Sequence, residues 1–172
     1  MMDANPNKAH NILAEMENLG FIHGIITQNI DNLHQKAGSK YILEVHGNTR
    51  ESSCMNCGNT VNINVLTEKV NSGEIPPKCN ICGGTLRPDV ILFGDMLPEA
   101  FNIALKEVET SDLLIVIGSS LMVAPVNYLP QMANKLIIIN KGYTLMDNFC
   151  EVKIEASAGD TLEAILEEIE GK

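Results

Sequence analysis

The stretch Asp112-Leu113-Leu114-Ile115-Val116-Ile117-Gly118 decides the fold class. Its apolar run is as long as a strand, too short for a helix, and shows no polar alternation, which means that both of its faces are buried. A strand covered on both faces belongs to a parallel sheet with helices above and below it. The neighbouring segments are therefore expected to alternate between helix and strand.

They do. Upstream, Pro98 to Val108 carries helical patterning. Downstream, Lys135 to Asn140 repeats the strand pattern, Val152 to Ile154 reads as a last short strand, and Asp160 is placed to cap a helix with Leu162, Ile165, Leu166 and Ile169 on its inner face. Toward the amino terminus, Asn5-Pro6 reads as an N-cap with proline at the first helical position. Ala9, Ile12, Leu13, Met16 and Leu19 then recur at helical spacing until Gly20. Phe21 to Thr27 reads as a buried strand, and Tyr41 to Val45, after the stop signal Gly38-Ser39, as another. The pattern predicts an α/β chain with a Rossmann-like, mostly parallel sheet.

Between Arg50 and Pro88 the texture changes to paired cysteines, Asn, Gly and Pro, with one helix expected near Val61 to Val70. This predicts an inserted module, dividing the chain into 1–49, 50–88 and 89–172. Cys54-x-x-Cys57 and Cys79-x-x-Cys82 form two knuckles, each followed by glycine at Gly58 and Gly83-Gly84. Four thiolates complete a tetrahedron and leave no place for water, so one structural zinc ion is expected. An iron–sulfur cluster or a redox dithiol would use the same residues. Cys150 lies outside the array and is expected to be a buried apolar residue.

Composition narrows the function classes. The chain has 172 residues, 45% hydrophobic and 20% charged, with no apolar run approaching the ~20 residues of a membrane span. No secretory signal is evident, so cytoplasmic residence is the expectation. The net charge of −10 argues against direct nucleic-acid binding. A zinc ribbon alone could bind nucleic acid, but Arg50, Lys69, Lys78 and Arg87 are matched by Glu51, Glu68, Glu74 and Asp89, so no basic face emerges.

Ligands of open α/β sheets bind beyond the carboxyl ends of the strands. After the first strand, Thr27-Gln28-Asn29-Ile30-Asp31-Asn32-Leu33-His34 offers amides, a carboxylate and an imidazole that suit sugar hydroxyls and a carboxamide. It reads equally as an Asx-rich turn capping a short helix toward Ala37. Gly118-Ser119-Ser120 could hold phosphate or ribose oxygens or be an ordinary strand-to-helix turn, and Asn140-Lys141 poses the same choice. His46 follows a strand at the ligand edge and is the histidine best placed to remove a hydroxyl proton. His10, in a helix, and His23, in a strand, are expected to be packed.

Taken together, Thr27 to His34, Val45-His46-Gly47, the cysteine pairs, Arg87-Pro88-Asp89-Val90-Ile91-Leu92-Phe93-Gly94-Asp95 and Gly118-Ser119-Ser120-Leu121 resemble the sirtuin signature in order and spacing. The resemblance implies an NAD-dependent protein-lysine deacetylase acting on acetylated-lysine proteins or peptides. Gln28, Asn29, Ile30 and Asp31 would face the nicotinamide half of NAD. Gly118, Ser119, Ser120, Asn140, Lys141 and Ala158 would face the adenosine half. Val90, Phe93, Gly94 and Val123 would border the acyl-lysine, and His46 would be the general base. Asp95 stands where the family usually has glutamate. The family's first strand and its glycine-rich cofactor loop, G-A-G-x-S followed by I-P-x-F-R, have no counterpart here. The corresponding expectations are a sheet missing its central strand and, as the alternative function, a catalytically incomplete sirtuin fragment serving as a zinc-containing binding or scaffold protein.

Overall fold

The computed structural model describes residues 4–92 and 94–171. Helix α1 spans Lys8–Asn18. Its cap is Asn7 rather than Asn5: the Asn7 side chain accepts from the His10 N–H, while the His10 ring accepts from the Asn7 N–H, a capping box with histidine in the place usually held by Glu or Gln. Pro6 therefore lies outside the helix. Ile12, Ala14 and Met16 form the buried face, and Gly20, at φ +82°, ends the helix in the left-handed region.

The strand expected over Phe21 to Thr27 shrinks to β1, Ile25–Thr27. Phe21 and Ile22 are occupied in closing α1, since both their N–H groups donate to the Met16 carbonyl, and Phe21 is exposed. His23 is likewise exposed rather than packed, with its Nε2 3.5 Å from Glu107. Helix α2, Leu33–Ala37, leads to β2, Ile42–Glu44, which lies parallel to β1 with Thr27 beside Glu44.

Strands β3, Gly47–Cys54, β4, Thr60–Asn62, and β5, Leu86–Val90, make an antiparallel sheet in the order β4-β3-β5, flanked by α3, Ile63–Asn71. The chain then returns to α/β texture. Helix α4, Glu99–Thr110, precedes β6, Leu114–Ile117; a 3₁₀ segment, Val126–Met132, precedes β7, Leu136–Ile139; and β8, Val152–Ile154, precedes α5, Ala158–Glu170. Strands β6, β7 and β8 are parallel, with Ile117 beside Ile139 and Ile139 beside Ile154.

The parallel arrangement thus consists of two sheets, β1-β2 and β6-β7-β8, rather than one. Among the described residues three buried clusters hold them, two of which involve helices. One joins Leu43 and Val45 to Phe101, Ala104 and Val108 of α4 and to Val126 and Leu129 of the 3₁₀ segment. The other packs Ile12 and Met16 of α1 and Leu162 and Leu166 of α5 against Ile139. Ser157 rather than Asp160 occupies the α5 cap; Asp160 lies in the first turn, where it pairs with Lys8 at 2.8 Å, and Ile169 faces solvent. Cys150 is half-buried, beside the cluster formed by Val116, Leu121, Leu136 and Ile138. Among the described residues no helix is long and apolar enough to cross a membrane.

Candidate active site and metal centre

Cys54 ends β3 and Cys57 lies in the turn that follows, closed by the Gly58 N–H donating to the Cys54 carbonyl at 2.9 Å. The second knuckle repeats this with Gly83 and Cys79, also 2.9 Å. Gly58 and Gly83 both take φ near +70°, which a side chain would resist. Gly84 is required for another reason, because a Cβ there would come within 2.8 Å of the Cys54 sulfur.

All four sulfurs lie within 4.8 Å of one another, with Cys54 to Cys82 at 3.4 Å and Cys57 to Cys79 at 3.9 Å. A tetrahedron of ~2.3 Å zinc–sulfur bonds has edges of about 3.8 Å, so the cluster could hold a zinc ion with little movement. Backbone N–H groups of Cys57 and Asn56 aimed at its sulfur lower the Cys54 thiol to about 6. Cys82 accepts the Gly84 N–H, which favours its thiolate, yet the crowding Cys57 and Cys54 sulfurs push it up to about 12. Four thiols packed this closely cannot all ionise without a cation between them.

At the carboxyl end of β1, Thr27 is buried and its hydroxyl accepts the Asn29 N–H at 3.1 Å, turning the chain sharply; Gln28 is half-buried and Asn29 exposed. Asp31 does cap the following turn, accepting the Leu33 N–H at 3.0 Å, which is the Asx reading. One carboxylate does not exclude the other reading, since an oxygen has a second lone pair and Asp31 remains half-exposed. The parallel register of β1 and β2 sets Gln28 and Val45-His46 at the same sheet edge.

Gly47 then brings two predicted features together. At φ +76° it lets β3 approach β5 so closely that a Cβ would sit 1.9 Å from the Asp89 carbonyl oxygen. Beyond this contact the Ile91 N–H donates to the His46 carbonyl at 3.0 Å. His46 is thereby held beside Val90 and the segment leading to Gly94. Phe93, expected in the same segment, lies outside the described residues.

At the other sheet, Gly118, Asn140 and Glu155 follow directly from three strands in register. Gly118 takes φ +64°, and the Ser119 hydroxyl accepts the Leu121 N–H at 3.2 Å, while Ser120 and Val123 are exposed. The Asn140 amide donates to the Gly142 carbonyl at 3.0 Å, and Lys141 lies near enough to Asp160 to help depress its carboxyl, after the larger effect of Lys8. Ala158 opens α5 and packs against the α1 cluster.

Sequence reasoning missed the residues that pin the β1 loop. Asn32, in the left-handed region at φ +64°, donates from its amide to Thr49, and the Thr49 hydroxyl donates to the Ile30 carbonyl at 2.8 Å. Arg50 bonds the Asn32 side-chain oxygen and grips Glu44 at 2.7 and 2.6 Å; Gln35 donates to the same Glu44 at 2.7 Å. From the sequence Arg50 reads only as a charge at the module's border. The available signal was Asn32 itself, since asparagine is among the few residues that accept a left-handed conformation.

The Sir2 family model matches residues 1–125. NAD-dependent protein deacetylase 2 of Caldanaerobacter subterraneus subsp. tengcongensis is 62% identical over 165 residues, covering 96% of this chain and 66% of that protein. The NAD-dependent protein deacetylase of Saccharolobus solfataricus is 45% identical over 177 residues, covering 100% and 70%. A solved Sir2 structure with p53 peptide and NAD+ superposes with a TM-score of 0.91 at 36% identity, covering 99% of this chain and 73% of that one. The chain spans about two thirds of the length of the curated relatives it matches. On the agreement of motifs, fold and relatives, the chain belongs to the Sir2, or sirtuin, family.

Proposed function

We propose that this chain carries the machinery of an NAD-dependent protein-lysine deacetylase, which transfers the acyl group of an acetylated lysine to ADP-ribose with release of nicotinamide. The observation that carries the reading is the bond from Ile91 N–H to the His46 carbonyl. It joins the candidate base to the candidate acyl-lysine segment. Solved relatives support the substrate class: one holds an acetylated peptide, another 2′-O-acetyl-ADP-ribose and a deacetylated p53 peptide.

NAD, when bound, supplies the electrophilic ribose carbon and the ribose hydroxyls that receive the acyl group. Gln28 and Asn29 would hold that ribose, with Ile30 and Asp31 around the carboxamide. Gly118, Ser119, Ser120, Asn140, Lys141 and Ala158 would line the adenosine half. Val90, Phe93, Gly94 and Val123 would flank the lysine chain. His46 accepts a hydroxyl proton, a role that suits an imidazole because its ordinary pKa lies near neutrality. The four-cysteine centre takes a zinc ion that holds the module and stays out of the chemistry. We divide the chain into 1–49, 50–88 and 89–172, and place it in the cytoplasm, where five unbridged thiols would stay reduced.

Mass spectrometry of the zinc-loaded chain with NAD and an acetyl-lysine peptide tests this. Deacetylation that falls ~10²–10⁴-fold in His46→Ala is the expected result. Among the described residues β1 pairs only with β2 and β6 only with β7, which favours a second reading, a catalytically incomplete sirtuin fragment serving as a zinc-containing binding or scaffold protein. Folded, zinc-loaded protein that turns over no NAD would select it.

A further inference from the structure

Segment 90–95 borders the expected acyl-lysine path. It is flanked by a cavity of about 620 Å³, and Leu92 and Met96 are both exposed. An ion pair ties its described residues together. Arg87, on β5, donates from Nη1 to Asp95 Oδ1 at 3.0 Å and from Nη2 to Asp95 Oδ2, the paired geometry in which a planar guanidinium matches a carboxylate. The same Nη2 reaches the Val90 carbonyl at 3.3 Å.

Asp95 in turn accepts the Leu92 N–H at 2.8 Å, and its own N–H donates to the Leu92 carbonyl at 3.0 Å. The pair therefore grips the segment at its start, middle and end, and closes it around Gly94, which turns at φ +92°. With Ile91 tied to His46, Val90 to Leu92 and Asp95 are held by the protein's own bonds before any ligand arrives.

We propose that Arg87 and Asp95 are positioning residues that hold the 90–95 segment open for an acyl-lysine chain beside His46. The proposal deepens the deacetylase reading and rests on it for the identity of the ligand. The pair acts through the segment, lowering the cost of ordering it on binding. The Asp95 carboxyl is held at about 2 by the Arg87 guanidinium and then by the Leu92 N–H, so the clamp stays charged throughout the neutral range. Aspartate at this position, shorter than glutamate, still spans to Arg87.

The test is calorimetric titration of the zinc-loaded full chain with an acetyl-lysine peptide, comparing the unaltered protein with Asp95→Asn, Arg87→Lys and Asp95→Glu. Amide hydrogen exchange at Leu92 and thermal unfolding are followed in parallel. Asp95→Asn and Arg87→Lys should each weaken peptide binding about tenfold, leave zinc content and the melting of the parallel sheets unchanged, and speed exchange at Leu92. Asp95→Glu should restore most of the affinity and the protection, which a general loss of fold would not permit. Equal peptide affinity in the unaltered chain and Asp95→Asn overturns the clamp while leaving the deacetylase reading intact. No peptide binding by the unaltered chain overturns that reading and the proposal together.

Discussion

The cysteine module and the parallel sheets are built on different physical terms. The module's buried apolar cluster contains only Cys54, Cys79 and Leu86, two of which are metal-ligand candidates, and α3 buries no residue completely. Met55, Ile75 and Ile81 stand exposed around it. The parallel part, by contrast, has Val45, Val108, Ile138, Ile139 and Leu162 almost wholly out of water, packed between helices and sheet. One region lacks the apolar area to hold itself together, and the other has it. The difference explains why a metal centre sits where it does: a small unit without a core must be tied by something stronger than burial.

The two regions should part most visibly on metal removal. Chelation should take from the module an apparent ~10–16 kcal/mol of folding free energy, enough to unfold it, while the parallel sheets keep their helical signal. Circular dichroism and cysteine alkylation during titration with a chelator would measure this. Alkylation of Cys57 and Cys82 without any loss of β-structure would show that the module stands without the ion. Leu162→Ala should have the opposite distribution. Its side chain is fully buried between α1 and α5, so the cavity should cost ~2–5 kcal/mol, lowering the melting of the parallel part and leaving zinc affinity alone.

Gly47→Ala strikes the seam between the two regions. The left-handed backbone alone costs a non-glycine residue ~1–2 kcal/mol, and the 1.9 Å approach to the Asp89 carbonyl forces β3 and β5 apart. Both regions should remain folded, with protection lost at the Ile91 amide and turnover reduced, because His46 and the 90–95 segment no longer share a bond. Retained protection at Ile91 would mean that the seam accommodates a methyl group.

How much of this was legible beforehand follows the same division. The apolar run Leu113 to Ile117 and its echo at β7 are legible because neither holds a polar residue, although in β6 only Val116 is buried and Leu113, just before it, is exposed; β8, with Lys153 and an exposed Val152, is legible only by its place in the α/β alternation. The C-x-x-C pairs were legible because thiolate spacing and glycine turns are local. What failed was cooperative at longer range. Phe21 and Ile22 are apolar and β-prone but spend their N–H groups on closing α1, and Asn5-Pro6 has the composition of a cap while Asn7 has the reciprocal partner His10. The mesh of Asn32, Thr49, Arg50 and Glu44 joins β1's loop to β3 and β2, and such contacts leave no spacing to read. The resemblance implies one sheet missing its central strand; its division into β1-β2 and β6-β7-β8 is seen only in the structure.

The smallest expected effect concerns pH, and it separates the regions by where a histidine is placed. The rings of His10 and His34 lie 4.7 Å apart, and the buried Nδ1 of His34 has no hydrogen-bond partner among the described residues. Burial lowers the pKa of His34 first, the His10 charge lowers it further, and Asp31 opposes both; in His10 burial also dominates over Asp31. A base whose folded pKa lies below its unfolded value of 6.5 takes up a proton in the unfolded chain before it does so in the folded one. Stability from this pair is therefore complete above that value and declines as the pH falls below it. Because both rings lie on α1 and α2, the decline should appear in the melting of the parallel part and not in release of the zinc module. His34→Gln removes one of the two titrating rings, and the slope of melting temperature between pH 7 and 5 should flatten. An unchanged slope would assign the acid sensitivity of this region to its carboxylates instead.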